Sequence, residues 1–165
     1  MKQVKLTQGK FAIVDDDNFD MVNQFKWCAA RSSSGTWYAI RSKSKINTQI
    51  SMHRLIMGHK EGFIIDHKNR NGLFNTRENL RFCTFSENII NTKPKNGSKY
   101  KGVVIGYKSQ KSAFIYKAVI IENKKSMLIG NFLNEIDAAK AYDKKAIEVH
   151  GEFACLNFPF DGTNY

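Results

Sequence analysis

Cysteine is scarce in this 165-residue chain, which has three, at Cys28, Cys83 and Cys155. An odd number with no Cys-x-x-Cys pair argues against a disulfide framework and against a zinc knuckle, since both need paired sulfurs. Long apolar runs are also missing. None approaches the roughly 20 residues of a membrane span, and the N-terminal residues lack a signal-peptide core. The sequence therefore predicts a soluble, reduced, intracellular protein.

Acidic side chains are few beside basic ones. The chain has 26 Lys and Arg against 15 Asp and Glu, a net charge of +11. Residues 1–97 carry 16 basic and 8 acidic side chains, and residues 98–165 carry 10 and 7. A positive excess of this size says nothing about which fold the chain adopts, but it favours an anionic partner. Since 42% of the residues are apolar, the chain can also build a core, which argues against global disorder.

One polar segment divides the chain. It reads N-T-K-P-K-N-G-S-K from residue 91, and its Pro, Gly and Asn break the periodicity of helices and strands. We predict a first domain over residues 1–92, a basic linker over 93–98 and a second domain over 99–160. A basic linker can itself lie along phosphates.

The first domain is predicted to be β-rich. Its strand candidates are residues 11–14, 25–29, 36–40, a strand running into a short helix over 50–58, and residues 64–67 and 80–83. The stretch T-F-S-E that follows matches the capping box at a helix start, so a helix is expected over 85–91. Strand, loop, strand and helix over about residues 63–92 then bring Asp66, His67 and Asn88 together.

The second domain is predicted to contain three strands and one helix. The strands are expected at residues 101–107, 114–122 and 126–131, with a tight turn at 123–125, and the helix from its cap Asn134 to Gly151. The helix has one apolar stripe that is expected to be core, formed by Ile136, Ala139, Tyr142, Ala146 and Val149. The fold class is therefore expected to be α+β, with a three-stranded antiparallel sheet packed on one helix in the second domain.

Three polar side chains of the first domain suit metal-assisted hydrolysis of a phosphodiester. Mg²⁺ keeps most of its waters and takes one or two protein oxygens, which Asp66 and the side-chain carbonyl of Asn88 would supply. His67 offers a neutral imidazole at cellular pH, because its reference pKa is about 6.5, and can act as general base. Asn79 lies where the loop after His67 returns, and we expect it to brace that loop. One Mg²⁺ or Mn²⁺ per site is expected.

The order of these residues resembles the His-Asn-His nuclease superfamily, and within it the phage and intron homing endonucleases. The resemblance covers M-H-R-L-I-M-G at residues 52–58 and I-D-H-K-N-R-N-G-L-F-N-T-R-E-N-L-R-F-C-T-F-S-E-N-I-I-N at residues 65–91. It implies the ββα-metal fold. Position by position, it makes Asp66 and Asn88 the metal ligands, His67 the base and Asn79 the bracing asparagine. His53 matches an upstream His-Arg pair whose role the residues do not reveal. Phe74 departs from the family pattern, because the family often has Asp before the asparagine that is Asn75 here.

A second resemblance covers residues 98–159. The stretches S-K-Y-K-G-V, I-G-N-F, E-I-D-A-A-K-A-Y-D and H-G-E-F-A-C-L-N-F-P are similar to the plant ethylene-response (APETALA-type) DNA-binding domain. The resemblance implies that the outer sheet face enters the DNA major groove, where Arg and Trp read bases.

This outer face differs from the family in being mostly apolar. It comprises Val104, Gly106, Ile115, Lys117, Val119, Ile121, Ser126 and Leu128, of which Lys117 alone is cationic. In one interpretation, lysines at the sheet edges and turns bind DNA, and the face reads shape and thymine methyls. In the other, the face is buried against the first domain or a second copy, since an apolar patch marks an interface. We expect a monomer or a weak dimer.

The sequence thus predicts a metal-dependent DNA endonuclease of homing type in the cytoplasm of a bacterial or phage-infected cell. One active site per chain predicts a nick, and a double-strand break would need two binding events. The candidate DNA contacts are Arg70, Arg77, Arg81, Lys93, Lys95, Lys101 and Lys117. Each motif alone is also explained by a turn or a helix cap. The alternative function is a DNA-binding regulator whose nuclease site has lapsed. An RNA-binding protein is disfavoured, because the sheet shows no aromatic stacking pattern.

Overall fold

The computed structural model describes residues 1–43, 48–94, 98–107, 114–122 and 125–158 of the chain. The chain forms two compact units, Met1–Asn88 and Ile89–Tyr165. The border lies inside a helix, whereas the sequence analysis placed the end of the first domain at residue 92. Among the described residues, no helix is both long enough and apolar enough to cross a membrane.

The first unit consists of short strands and short helices. Its strands are β1 (Lys2–Lys5), β2 (Phe11–Val14), β3 (Cys28–Arg31), β4 (Trp37–Lys43), β5 (Thr48–Ser51), β6 (Ile64–His67), β7 (Phe74–Asn75) and β8 (Leu80–Cys83), and its helices are α1 (Asp16–Asn23), α2 (Met52–Met57) and the first part of α3 (Phe85–Ile90). The strands pair in the orders β1-β2-β7, β3-β4-β5 and β6-β8. All these pairs are antiparallel except β2 with β7.

Two strands of this unit were not predicted. Strand β1 has a single buried side chain, Val4, so its sequence lacks the alternation that indicates a half-buried strand. Strand β7 has only two residues and pairs with the distant β2. The strand predicted over residues 25–29 begins later, at Cys28, because Trp27 is buried below it and donates its indole N–H to the carbonyl of Val22 at 2.8 Å.

Strands β6 and β8 and helix α3 form a ββα unit. The two strands pair antiparallel with Asp66 opposite Arg81. The capping box at the start of α3 is confirmed: the main-chain N–H of Thr84 donates to Glu87 Oε2 at 2.7 Å, and the N–H of Glu87 donates back to Thr84 Oγ1 at 3.3 Å. These two bonds fix where the helix begins relative to the strand before it.

Helix α2 is held by the core of the first unit. Its residues Met52 and Ile56 are buried among the side chains of that core. The helix ends at Gly58, whose φ of 77° lies in the left-handed region that favours glycine. The predicted strand-to-helix stretch ending at Gly58 is therefore confirmed.

The second unit is a three-stranded sheet packed on one helix, as predicted. Its elements are β9 (Val103–Tyr107), β10 (Phe114–Glu122), β11 (Lys125–Phe132), α4 (Glu135–His150) and a 3-10 turn (Gly151–Phe153), and the antiparallel strands lie in the order β11-β10-β9. Asn134 caps α4 by accepting the N–H of Ile136 at 2.8 Å. Of the turn predicted at residues 123–125, residues 123 and 124 lie outside the described part of the chain, and Lys125 begins β11.

One member of the predicted apolar stripe of α4 is wrong. Ile136 is 43% exposed, because it lies in the first turn beside the cap and not over the sheet. Asp143 is buried instead. Its carboxylate accepts the main-chain N–H groups of Asn157 and Phe158 at 2.9 Å each. This polar contact fastens the C-terminal segment to the helix, and no apolar periodicity could have indicated it.

The glycine at position 72 allows the loop after β6 to lie against strand β4. A Cβ atom added to Gly72 would meet the carbonyl oxygen of Trp37 at 2.4 Å and the ring of Tyr38 at 2.6 Å. Backbone cannot give way at such distances, so only a residue without a side chain fits. The close approach brings Tyr38 next to the loop that follows His67.

We predict that Gly72→Ala destabilises the first unit by at least about 2 kcal/mol, since overpacking distorts its surroundings. Urea unfolding followed by tryptophan fluorescence measures this unit alone, because both tryptophans of the chain, Trp27 and Trp37, belong to it. Gly9→Ala is the control: it has a φ of 66° and open space around the new methyl group, so it should cost about 1 kcal/mol. Equal losses for the two variants would contradict the prediction.

Candidate active site

His67 ends strand β6, and its Nε2 is hydrogen-bonded to an asparagine. The side chain is 5% exposed, and its Nε2 lies 3.1 Å from Oδ1 of Asn75, which is fully buried in β7. The amide of Asn75 is oriented by its own Nδ2, which donates to the carbonyl of Gly72 at 3.4 Å. Since Oδ1 can only accept, Nε2 of a neutral His67 carries the proton, and Nδ1 carries the lone pair.

Three rings meet at His67. The imidazole of His53, from α2, lies 5.2 Å from that of His67, centroid to centroid, at an interplanar angle of 88°. Tyr38, from β4, lies 6.0 Å from His53 and 5.9 Å from His67. We call Tyr38, His53 and His67 the ring cluster. Two of its members come from elements other than β6, and no motif of the sequence indicated that the three rings meet.

Burial keeps both imidazoles neutral. It lowers the pKa of His67 below the usual value, although the hydrogen bond to Asn75 and the charge of Asp66 act in the opposite direction. Burial, with smaller contributions from His67 and Arg54, lowers the pKa of His53 to about 4. An uncharged imidazole with a lone pair is the form that a general base requires.

Asp66 and Arg81 form a buried ion pair across β6 and β8. The two residues are 7% and 8% exposed, and Nε and Nη2 of Arg81 donate to Oδ2 of Asp66 at 3.0 and 2.8 Å. This corrects the prediction that Arg81 contacts phosphate, because the guanidinium is buried and bound to a carboxylate. The opposite charges at facing positions of two predicted strands were the available signal.

The first turn of α3 lies near this ion pair. Hydrogen bonds from Thr84 lower the pKa of Glu87, and the charge of Arg81 adds to the effect. Burial raises the pKa of Cys83 to about 11, with contributions from Asp66 and Glu87. Asn88 follows Glu87 directly and donates its main-chain N–H to the carbonyl of Thr84 at 3.0 Å. The predicted pair of Asp66 and Asn88 thus belongs to adjoining elements.

The donors at this point have the chemistry of a hard-cation site. Asp66 and Asn88 offer oxygen, which Mg²⁺ and Mn²⁺ prefer, and Mg²⁺ needs no more than two protein ligands. Within the described ranges, no group of three or more His, Cys, Asp and Glu residues could hold a metal, so a zinc-type cage is not available there. The residues therefore fit one hydrated cation.

Asn79 joins the two ends of the loop after His67. Its Oδ1 accepts the N–H of Asn69 at 3.0 Å, and its Nδ2 donates to the carbonyl of Phe74 at 2.6 Å. Its main-chain carbonyl also accepts the N–H of Lys68 at 2.8 Å. These bonds are what a bracing residue would make. The contact with the imidazole itself comes from Asn75, which the sequence analysis did not single out.

The remaining candidate DNA contacts occupy different environments. The ammonium of Lys101 donates to the carbonyls of Ile90 and Thr92 at the end of α3, and its contact with DNA stays a prediction. Arg77 is exposed, but its Nη2 donates to the carbonyl of Ile56 at 3.3 Å. Arg70, Lys93 and Lys117 are exposed, and Lys95 lies outside the described residues.

The outer face of the second unit's sheet is largely apolar, as its sequence indicated. Val104, Ile121 and Leu128 are 52%, 65% and 57% exposed. Lys117 is exposed on the same strand as Ile121. Both interpretations of this face, DNA contact and protein interface, stay predictions.

The ββα unit, with Asp-His at the end of its first strand and Asn in its helix, defines the class of site. No family model matches the chain. The chain is 32% identical over 152 residues to an uncharacterised HNH endonuclease of Acanthamoeba polyphaga mimivirus, and the match covers 91% of this chain and 76% of that protein. The chain therefore belongs to the HNH endonuclease family.

The viral relative resembles both units. The second unit begins at residue 89, so a match over 91% of the chain includes most of it. The assignment of this unit to the ethylene-response family finds no support in the comparison and stays a prediction.

We predict that acid destabilises the wild type more than His53→Phe. The pKa of His53 falls from 6.5 to about 4 on folding, so between these values the unfolded chain binds the proton more readily. The free energy of unfolding of the wild type therefore has its full value above pH 6.5 and decreases as the pH falls towards 4. At pH 5 the loss should be about 2 kcal/mol relative to His53→Phe. Urea unfolding of both proteins at pH 7 and pH 5 measures it, and an equal change in the two would contradict the lowered pKa.

We predict that Arg81→Met destabilises the first unit by about 3–5 kcal/mol, because it leaves the carboxylate of Asp66 buried without its partner. Adding Asp66→Leu should recover most of the loss, since neither charge then remains. The exposed Arg54 provides the control Arg54→Met, which should stay within about 0.5 kcal/mol. The measurement is urea unfolding followed by tryptophan fluorescence. A double variant no more stable than Arg81→Met would contradict the ion-pair account.

Proposed function

We propose that the protein is a metal-dependent DNA endonuclease in which His67 is the general base. The observation that carries the proposal is the orientation of His67. Its Nε2–H is bound by Asn75, and it lies directly after the ion-paired Asp66 in a chain of the HNH endonuclease family. The net charge of +11 supports an anionic polymer as substrate.

His67 would remove a proton from the attacking water. The lone pair on Nδ1 accepts the proton, and Asn75 then stabilises the imidazolium through the Nε2–H bond. Attack opposite the leaving oxygen inverts the configuration at phosphorus. A positioned base of this kind contributes about 10²–10⁴ in rate.

Asp66 and Asn88 would hold one Mg²⁺ or Mn²⁺ beside His67. When bound, the ion supplies charge stabilisation at the phosphoryl and leaving oxygens. Arg81 keeps Asp66 in place through the buried ion pair. Asn79 keeps the ends of the loop after His67 together. The base His67 and the metal ligand Asp66 would therefore keep their relative positions during the reaction.

The protein as a whole would bind double-stranded DNA and nick it. One site per chain cuts one strand, and a break of both strands needs a second binding event. The exposed Arg70 is the proposed phosphate contact of the first unit, and the exposed Lys93 and Lys117 are those of the second. The homing character and the DNA-binding role of the second unit are supported by the resemblance of their sequence stretches.

We predict that the full chain converts supercoiled plasmid to open circle when Mg²⁺ or Mn²⁺ is present, and that EDTA stops the conversion. His67→Ala should slow the reaction about 10²–10⁴-fold because the base is lost. Asn88→Ala should raise the metal concentration needed for half-maximal rate. The exposed His59 provides the matched control His59→Ala, which should cleave at the wild-type rate.

The alternative outcome identifies a regulator. If the wild type binds DNA and does not cleave it with either metal, the endonuclease proposal is wrong and the nuclease site has lapsed. If His67→Ala cleaves as fast as the wild type, another residue is the base.

A further inference from the structure

We propose that His53 is a positioning residue that holds the imidazole of His67 in its reacting orientation. The inference rests on the proposed function, because it assigns a second histidine to the same site. The observation is the perpendicular contact of the two imidazoles, 5.2 Å apart at 88°. Tyr38 touches both rings and completes the ring cluster.

The hydrogen bond at Nε2 does not by itself orient the imidazole fully. Rotation about the bond between Cβ and the ring has a broad, two-fold preference. A half-turn would exchange Nδ1 with a carbon and would also break the bond from Nε2 to Asn75. Smaller rotations keep that bond but turn the Nδ1 lone pair away from the water. A ring packed perpendicular to His67 opposes these smaller rotations, because any tilt brings the two rings into collision.

His53 lies on helix α2, which is anchored in the core of the first unit. Its neighbour Met52 is fully buried in the core of the first unit, and Ile56 on the same helix is also buried. The helix ends at Gly58 after fewer than two turns. Tyr38 is fixed from another direction, since the loop at Gly72 lies directly against its ring. The ring cluster therefore fixes His67 from two independent elements, α2 and β4.

A neutral ring suits this role. Burial lowers the pKa of His53 to about 4, so at cellular pH it places no charge beside His67. Packing and not charge is then the means of positioning, and a phenyl ring of similar shape should substitute for it. A histidine packed in this place without a positioning role would also have a lowered pKa, so the experiment must separate stability from orientation.

The test compares nicking of supercoiled plasmid by the full chain with His53→Ala, His53→Phe and the control His59→Ala. We expect His53→Ala to lower kcat at least about tenfold, because a small misplacement of a reacting group is costly, with KM within about twofold. We expect His53→Phe to keep most of kcat. Equal kcat for His53→Ala and His59→Ala, or a His53→Phe as slow as His53→Ala, would overturn the proposal.

A double-variant cycle separates positioning from stability. If His53 acts through the imidazole of His67, then adding His53→Ala to His67→Ala should cause no further loss of rate. A loss that multiplies that of His67→Ala would overturn the proposal, because it would show an effect independent of the base.

A spectroscopic measurement distinguishes failure of this inference from failure of the proposed function. Ring ¹⁵N and ¹H resonances of the full chain should show His67 protonated at Nε2 in the wild type and in His53→Phe. In His53→Ala, the His67 signals should shift and broaden as the ring gains freedom. Unchanged His67 signals in His53→Ala would overturn the positioning role. A wild type that does not cleave would overturn the endonuclease proposal and leave this result standing.

Discussion

The pairing of Asp66 with Arg81 is the interaction on which the first unit's site depends. A carboxylate removed from water needs a positive partner and hydrogen bonds, or its burial costs several kcal/mol. Arg81 supplies both with two N–H donors, and the antiparallel register of β6 and β8 places it directly opposite. A slip of one residue would turn every side chain of β6 to the other face, and Asp66 and His67 would exchange environments.

The loop between these strands depends on the same register. Asn79 binds the main chain at Asn69 and at Phe74, on either side of Gly72, and Gly72 lets the loop lie against β4. Asn75 can then reach His67 from β7, whose own position comes from pairing with β2. The orientation of one imidazole thus depends on the two sheets that contain β4 and β7, besides its own strand pair. His67 is therefore contacted from outside its own strand pair, although a loop follows it.

The second unit keeps a predictable architecture with one unpredicted polar contact. Its sheet and helix follow from the spacing of apolar residues, with Ala118 and Ile120 facing inward and Ile121 outward. The buried carboxylate of Asp143, which binds the main chain of the C-terminal segment, interrupts the apolar pattern of α4. The outer face of this sheet exposes Val104, Ile121 and Leu128. It is therefore apolar in the structure, as its sequence predicted.

The sequence by itself determined most elements and the local part of the site. Apolar alternation, the T-F-S-E capping box and Gly58 placed the ends of β6, β8, α2 and α3, because these signals act over a few residues. They also placed Asp66 and His67 at the end of one strand, where a hydrolytic site could form. Tertiary structure decided which residues touch them. Arg81, Asn75 and His53 come from other elements. Opposite charges on two predicted strands were a signal for the contact of Arg81 with Asp66, but no short-range pattern indicates the contacts of Asn75 and His53 with His67. The role of Arg81 changed for this reason, since exposure and burial of a charged side chain depend on what the rest of the chain places over it.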